Sequence, residues 1–207
     1  MSDEISSNRG ERTRGETLQA AHSWFLERGF HGTSMRQIAQ KAGIALGGIY
    51  NHFAGKEDIF RAIFLEHHPY RQIFLQIDEF QGNTVEEALR TAAYSIAGEL
   101  GGRTDFLKLM FIELVEFNGQ HIQQLFPLIF PHISRFAQRF LAGREELRDV
   151  PPLVLVRSFI GLFFSYAITE AVIADQLPQE GREHALDYFL DIYLHGILKS
   201  DSPVEVA

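Results

Sequence analysis

The sequence predicts an all-α fold of about nine helices, in which a small N-terminal group of three helices precedes a larger helical domain. Apolar residues recur with a helical period in almost every segment. No run of alternating β-branched residues bounded by turn signals indicates a strand. With 207 residues, 45% of them hydrophobic and 22% charged, the chain has the composition of a folded protein with a sizeable core.

Turn signals divide the chain into four predicted segments. Residues 1–12 are polar and predict a flexible arm, and residues 201–207 predict a flexible tail. Residues 13–58 form the predicted three-helix domain, and residues 59–200 form the predicted larger domain. The fourth helix is expected to run from Glu57 to about Phe80, so that one continuous helix belongs to both domains.

Several kinds of site are excluded or disfavoured by composition. The chain contains no cysteine, which excludes disulfides and thiolate metal sites. The histidines show no metal-ligand spacing, so we expect no metal, no cofactor and no catalytic site. The N-terminus lacks an apolar stretch, which favours a cytoplasmic protein. Leu153–Ala174 is interrupted by Arg157 and Glu170, so a buried helix is expected there and no membrane partner.

Two short predicted helices are joined by a glycine-containing turn. Ser34 and Gln37 have the spacing of a capping box at the start of the second helix, and Gly43 ends it in a tight turn. A short third helix follows over 46–53, with Ile49 and Phe53 on its inward face. This spacing is typical of a helix-turn-helix, whose second member enters the major groove of DNA.

The charge distribution agrees with a nucleic-acid partner for this segment alone. The whole chain carries a net charge of −8, which opposes phosphate binding. Residues 28–56 nevertheless contain no Asp or Glu, whereas residues 61–207 contain twelve Lys and Arg against twenty Asp and Glu. We therefore expect a locally positive surface on the helix-turn-helix.

The same segment resembles the DNA-binding domain of the TetR family. The resemblance begins in the first helix, extends to about residue 64, and is carried by the following residues: Gly32-Thr33-Ser34-Met35-Arg36-Gln37-Ile38-Ala39, Ala42-Gly43-Ile44, Gly47, Ile49-Tyr50, His52-Phe53 and Lys56-Glu57-Asp58. It implies a transcription regulator whose helix-turn-helix binds a double-stranded DNA operator, followed by a helical domain that binds an effector and forms a homodimer.

The resemblance also implies individual DNA contacts. Phosphate contacts are implied for four residues, namely Thr33, Tyr50, His52 and Lys56. Arg36 and Asn51 are expected to approach base edges, since Arg suits guanine and Asn suits adenine. Gly47 and Gly48 are poor helix formers, so we interpret them as residues that permit close approach to the groove.

This chain departs from the family pattern in its third helix. Ala45 and Gly48 stand where hydroxyl residues are usual, and Leu46 replaces a polar residue. Two hydroxyl contacts with DNA are therefore expected to be missing. Leu46 either packs inward beside Ile49 or faces a thymine methyl group.

Phenylalanine is concentrated in the larger domain. Ten of the eighteen phenylalanines lie in residues 106–164. Core packing accounts for most of them, but helical bundles also place apolar ligand cavities between helices. The resemblance implies a small apolar or aromatic effector, and we select as candidate contacts Phe111, Phe117, Phe130 and Phe163. Glu113 and Glu116 share a helix face, which would suit a general acid–base pair or a ligand pocket, but we expect solvated carboxylates.

The last two helices, over 152–174 and 182–199, are apolar across wide faces. The resemblance implies that they pair two copies of the chain, which would require a near-palindromic operator. We expect a repressor that an effector releases from DNA by moving the fourth helix. An activator and a ligand-stabilised repressor remain open, as do two other function classes: a helical enzyme or carrier, and a module that binds another protein through its last helices.

Overall fold

The computed structural model describes residues 2–80, 83–100 and 104–198, and within these residues it contains ten α-helices and no strand. The all-α prediction is therefore confirmed. The helices are α1 (Ser2–Arg28), α2 (Met35–Ala42), α3 (Leu46–Tyr50), α4 (Lys56–His67), α5 (Tyr70–Glu79), α6 (Val85–Leu100), α7 (Thr104–Phe117), α8 (Gln120–Phe136), α9 (Pro152–Ile173) and α10 (Ala185–Ile197).

The helix-turn-helix forms as its capping residues predict. Ser34 Oγ accepts a hydrogen bond from the Gln37 amide at 3.3 Å, and Gln37 Oε1 accepts one from the Ser34 amide at 2.8 Å. Gly43 ends α2 with φ 68°, a conformation that side-chain-bearing residues resist. The capping box and the glycine stop are both confirmed. They fix where α2 begins and ends, and therefore where α3 can start.

The predicted start of the first helix, at Thr13, was wrong. α1 begins at Ser2, so a helix occupies most of the segment for which an arm was expected. Polar residues do not prevent helix formation, and Arg12 pairs with Glu16 one turn later at 3.0 Å. The tail predicted at 201–207 lies outside the described residues, as do Gln81, Gly82, Gly101 and Gly102 at two predicted helix breaks.

The single fourth helix predicted from Glu57 to Phe80 was also wrong. α4 ends at His67, His68 has extended backbone with ψ 122°, and α5 starts after Pro69. Proline has no amide hydrogen, clashes with the preceding turn and disfavours helical geometry in the residue before it. The break adds one helix to the predicted nine, and α4 extends into the predicted larger domain only as far as His67.

The described chain forms two compact units whose bounds differ from those of the predicted domains. The first contains residues 1–68 and 105–126, and the second contains residues 69–104 and 127–207. The N-terminal helices therefore share a core with most of α7 and the start of α8. Two of the chain crossings between the units occur at proline, at His68–Pro69 and at Phe126–Pro127.

The first unit has an aromatic core. Phe60 of α4 lies at its centre, with its ring centroid 5.6 Å from that of Phe25 and 4.9 Å from that of Phe117. Phe25 and Phe60 are almost completely buried. Large aromatic side chains supply much apolar burial each, which allows a small set of helices to hold the helix-turn-helix.

The second unit packs α5, α6, α9 and α10 around an aliphatic core. Leu89, Ala93 and Leu190 are buried at its centre. Thr84 and Glu87 form the capping box predicted before α6, since Thr84 Oγ1 accepts from the Glu87 amide at 3.1 Å and Glu87 Oε2 accepts from the Thr84 amide at 3.4 Å. Arg90 of α6 joins Asp191 of α10 at 2.5 Å. Arg90 also lies 3.9 Å from Asp187, so the last helix is anchored to α6 by ion pairs as well as by its apolar side.

Candidate nucleic-acid interface

The third helix presents a polar face outward and an apolar face inward. Ile49 has no exposed surface and Phe53 is 4% exposed, whereas Tyr50 is 52% exposed. Asn51 and His52 follow in an exposed turn, because α3 ends at Tyr50, earlier than the predicted 53. The predicted inward orientation of Ile49 and Phe53 is confirmed, and Tyr50, Asn51 and His52 are accessible to a ligand.

The two glycines of α3 are not required by packing among the described residues. A β-carbon added at Gly47 or at Gly48 would meet none of their atoms within 4 Å, and neither residue has the positive φ that demands glycine. Both therefore weaken the helix without an intramolecular reason. Close approach of an external surface would account for them.

The start of α3 reflects the departures noted in the sequence. Ala45 occupies the N-cap position and makes no side-chain hydrogen bond. A serine or threonine there would offer an oxygen to the first amides of the helix. Leu46 is half-buried, so its packing beside Ile49 and its contact with a thymine methyl group both stay predictions.

Arg36 lies on the exposed surface of α2. Nearby, Trp24 of α1 lies between two cations, with Arg28 Cζ 4.1 Å and Lys41 Nζ 4.5 Å from its ring centroid. Cation–π contacts hold these charges against the ring. These contacts place two positive charges on the surface of the first unit beside α2, where they favour association with phosphate.

Thr33 and Lys56 have partners within the chain. Thr33 is 3% exposed, and its hydroxyl donates to the Gly29 carbonyl at 2.9 Å. The Lys56 ammonium donates to the carbonyl oxygens of Phe30 at 2.6 Å and Thr33 at 2.7 Å, and lies 4.2 Å from the Phe30 ring centroid. Burial lowers the pKa of Lys56, an effect that Glu116 opposes. The geometry gives both side chains a role in fixing the turn before α2.

The four phenylalanines selected as effector contacts are divided between the units. Phe111 and Phe117 lie in the first, and Phe130 and Phe163 lie in the second. Phe117 packs edge-on against Phe30 at 4.8 Å and is part of the aromatic core. Phe163 is buried in the core of the second unit, whereas Phe111 and Phe130 are 44% and 37% exposed. No one unit brings all four together.

Glu113 is the functional candidate that sequence reasoning misjudged. Its side chain was expected to be solvated, but it is completely buried and accepts a hydrogen bond from the backbone amide of His121. A signal was present, because Phe106, Leu109, Glu113 and Phe117 share one helix face and the other three are apolar. Glu116 is partly exposed and pairs with His31 at 2.6 Å.

Over the described ranges, no group of three or more His, Cys, Asp and Glu side chains is arranged to hold a metal ion. By length and composition alone, one described helix, Pro152–Gln176, could cross a membrane, which is weak support for a span. Only 17% of its most apolar window is buried within the chain. The burial predicted for this helix is therefore not reached in a single copy, because one apolar side has no intrachain cover.

The known proteins that this chain resembles in sequence are bacterial transcription regulators. Residues 18–63 match the family described as bacterial regulatory proteins, tetR family. The chain is 43% identical to the HTH-type transcriptional regulator UidR of Escherichia coli over 81% of this chain and 85% of UidR. It is 24% identical to the uncharacterized HTH-type transcriptional regulator YfiR of Bacillus subtilis over 97% and 99% of the two chains.

Solved structures share the fold. The transcriptional regulator FadR of Bacillus subtilis, crystallised with stearoyl-CoA, superposes with a TM-score of 0.69 at 22% identity, covering 88% of this chain and 98% of FadR. NalD of Pseudomonas aeruginosa, a secondary repressor of a multidrug efflux pump, gives 0.68 at 19% identity and covers 92% and 99%. These likenesses support the architecture over nearly the whole chain.

Proposed function

The chain belongs to the TetR family of DNA-binding transcription regulators, and we propose that it is a cytoplasmic homodimeric repressor that a small apolar or aromatic effector releases from a near-palindromic operator. Its relatives are regulators rather than enzymes, and the chain is not an enzyme. One observation supports DNA recognition by α3: the helix buries Ile49, exposes Tyr50 and contains two glycines for which packing among the described residues gives no reason.

The candidate residues fall into groups with different roles in DNA binding. Tyr50 and His52 are the exposed candidates for phosphate contacts, which set register without reading sequence. Arg36 and Asn51 are the exposed candidates for base edges. Thr33 and Lys56, which have intramolecular partners, contribute by holding the turn before α2. The glycines allow the backbone of α3 to come near the groove.

Dimerisation is supported by apolar surface that one copy leaves uncovered. α9 and α10 each bury one side within the second unit. Their other side exposes the following apolar residues: Leu153, Val154, Ile160, Phe164, Val172, Tyr188 and Ile192. Exposed apolar area of this extent on two neighbouring helices is unfavourable in water. A second copy related by two-fold symmetry would cover this apolar surface and would place two helix-turn-helices on one operator.

Release by an effector does not require the continuous fourth helix that the sequence indicated. The chain passes between the two units at residues 68–69, 104–105 and 126–127. An effector that binds one arrangement of the chain more tightly than another shifts the population toward it, and only that difference in affinity can change DNA binding. FadR of Bacillus subtilis, which shares the fold, was crystallised with stearoyl-CoA, and this favours an apolar effector.

A titration tests this function directly. A fluorescent duplex selected from a random pool is bound by the protein, and a panel of small apolar and aromatic compounds is added while anisotropy is recorded. A compound that binds the protein and releases the duplex supports the proposal. A compound that saturates the protein without changing DNA affinity contradicts the release mechanism, and a failure to select any duplex contradicts DNA recognition itself.

A further inference from the structure

A buried ionisable pair lies outside the DNA-reading surface. Glu113 of α7 is completely buried and His121 of α8 is 2% exposed. Glu113 Oε2 lies 2.7 Å from His121 Nδ1, while its other oxygen accepts hydrogen bonds from the amides of His121 at 2.7 Å and Ile122 at 3.4 Å. These amides belong to the first turn of α8, whose donors have no partner within the helix. Glu113 therefore caps α8 from α7 and fixes the corner between the two helices.

The corner held by Glu113 packs against the DNA-binding helices within the first unit. Phe117, at the end of α7, lies against Phe30 and Phe60, with ring centroids 4.8 Å and 4.9 Å apart. Gln120, at the start of α8, donates to Glu57 Oε1 at 2.8 Å. Glu57 is in the first turn of α4, immediately after Lys56.

Contacts of the corner reach the turn before α2. Glu116 of α7 pairs with His31 in that turn at 2.6 Å. Phe30, beside it, supplies one of the two carbonyls that Lys56 holds, and Thr33 supplies the other. A displacement of the corner would therefore change contacts at α4 and at the turn from which α2 starts.

Stability alone is a poor explanation for Glu113. Burying a carboxylate is costly, and well-packed apolar residues often stabilise a core as well as a buried pair does. Hydrogen bonds to a charged group do, however, specify one geometry closely. We propose that Glu113 is a positioning residue, which holds the α7–α8 corner so that the helix-turn-helix keeps its DNA-binding arrangement. The inference rests on the proposed function and adds to it a residue of the first unit that sets DNA affinity without touching DNA.

Two substitutions at Glu113 separate geometry from charge. Glu113→Gln and Glu113→Ala both remove the carboxylate charge, but only glutamine keeps an oxygen for the α8 amides and a hydrogen-bonding group for His121. We expect Glu113→Ala to weaken binding to the selected duplex by about tenfold, the order of ordinary coupling between sites. Glu113→Gln should stay within about threefold of the wild type. Light scattering and circular dichroism establish that each variant is folded at the assay temperature.

Asp78 supplies a control in the second unit, because it is a carboxylate that also pairs with a histidine, although it is partly exposed and bonds to side chains only. Asp78 Oδ2 lies 2.8 Å from His132 Nδ1 and 2.9 Å from Arg135 Nη1. Asp78→Ala should leave DNA affinity within about threefold of the wild type. Equal weakening by Asp78→Ala and Glu113→Ala would overturn the proposal, as would unchanged affinity in a folded Glu113→Ala protein.

If Glu113→Ala does not fold, Gln120→Ala tests whether the α7–α8 corner affects DNA affinity. Gln120 is exposed, and the change removes its hydrogen bond to Glu57 while leaving Glu113 in place. We expect a loss of affinity of about threefold or more with an unchanged salt dependence, because no phosphate contact is removed. Unchanged affinity overturns the role of the corner. If the wild type itself selects no duplex, the proposed function fails; if it does and the variants match it, only this inference fails.

Discussion

Lys56 Nζ lies 2.7 Å from the carbonyl oxygen of Thr33, so the first residue of α4 is bonded to the turn that precedes α2. Both residues were predicted to bind phosphate. A lysine that donates two of its three N–H groups to carbonyls is held in one place and has one donor left. The contact is one of those that fix α4 relative to the turn before α2.

Lys56→Ala should weaken DNA binding on all sequences and lower the midpoint of thermal unfolding, because the Phe30 and Thr33 carbonyls lose their shared donor. If the role is positional, the slope of log K against log salt should equal that of the wild type. Anisotropy titrations at several salt concentrations give this slope. A decrease of about 0.9 in its magnitude would identify a lost phosphate contact and contradict the positional role.

Gly47→Ala should separate folding from DNA binding. Alanine favours a helix over glycine by about 1 kcal/mol, and its β-carbon meets no protein atom, so thermal stability should be equal or higher. DNA affinity should fall by about tenfold if the backbone approaches the groove closely, since overpacking costs about 1–3 kcal/mol. Anisotropy and thermal unfolding measure the two effects.

Gly43→Ala is the control for that substitution. Gly43 has φ 68°, where alanine is strained by about 1 kcal/mol, so this change should lower thermal stability. A Gly47→Ala protein that binds DNA as well as the wild type would show that α3 does not approach DNA through its glycines.

Ile192→Glu should disrupt the proposed dimer. Ile192 is 71% exposed on α10, and a buried charge without a partner would be costly at an interface. Light scattering should report a monomer, and operator affinity should fall because the two helix-turn-helices are no longer linked. Val115→Glu is the matched control, since Val115 is 73% exposed on α7 and should tolerate the charge. A dimeric Ile192→Glu protein would place the interface elsewhere.

His68 should make stability depend on pH. Burial lowers the pKa of His68 from 6.5 to about 4 in the folded protein. Between these values the unfolded chain binds a proton that the folded chain does not, so the free energy of unfolding falls as pH decreases from about 6.5 to 4. The contribution is about 3 kcal/mol. Chemical denaturation across this range should show a shallower decrease for His68→Phe, and identical profiles would contradict the assignment.

Local signals in the sequence predicted the helix-turn-helix well. The capping box of Ser34 and Gln37 and the stop at Gly43 depend on residues a few positions apart, and local hydrogen bonding decides them. The inward placement of Ile49 and Phe53 followed from helical periodicity. Pro69 is equally visible in the sequence, but the apolar period continues on both sides of it, and periodicity alone predicts one unbroken helix there.

The role of Glu113 could not be predicted in the same way. Its partners lie on another helix, beyond a turn at Gly119, and whether a carboxylate on an apolar face is solvated depends on what packs against that face. The intramolecular partners of Thr33 and Lys56 were missed for a related reason, since a resemblance at matching positions says nothing about bonds within the chain. Tertiary contacts decide all three.

Binding of the intact protein to a selected duplex tests the central claim, that α2 and α3 read DNA sequence, most directly. The duplex is compared with a scrambled one of the same length and composition at physiological salt. We predict at least about 10³-fold tighter binding to the selected duplex. Arg36→Ala and Asn51→Ala should each lose about 1–3 kcal/mol of discrimination at particular base pairs. Equal affinity for the two duplexes, or variants that discriminate as well as the wild type, would contradict it.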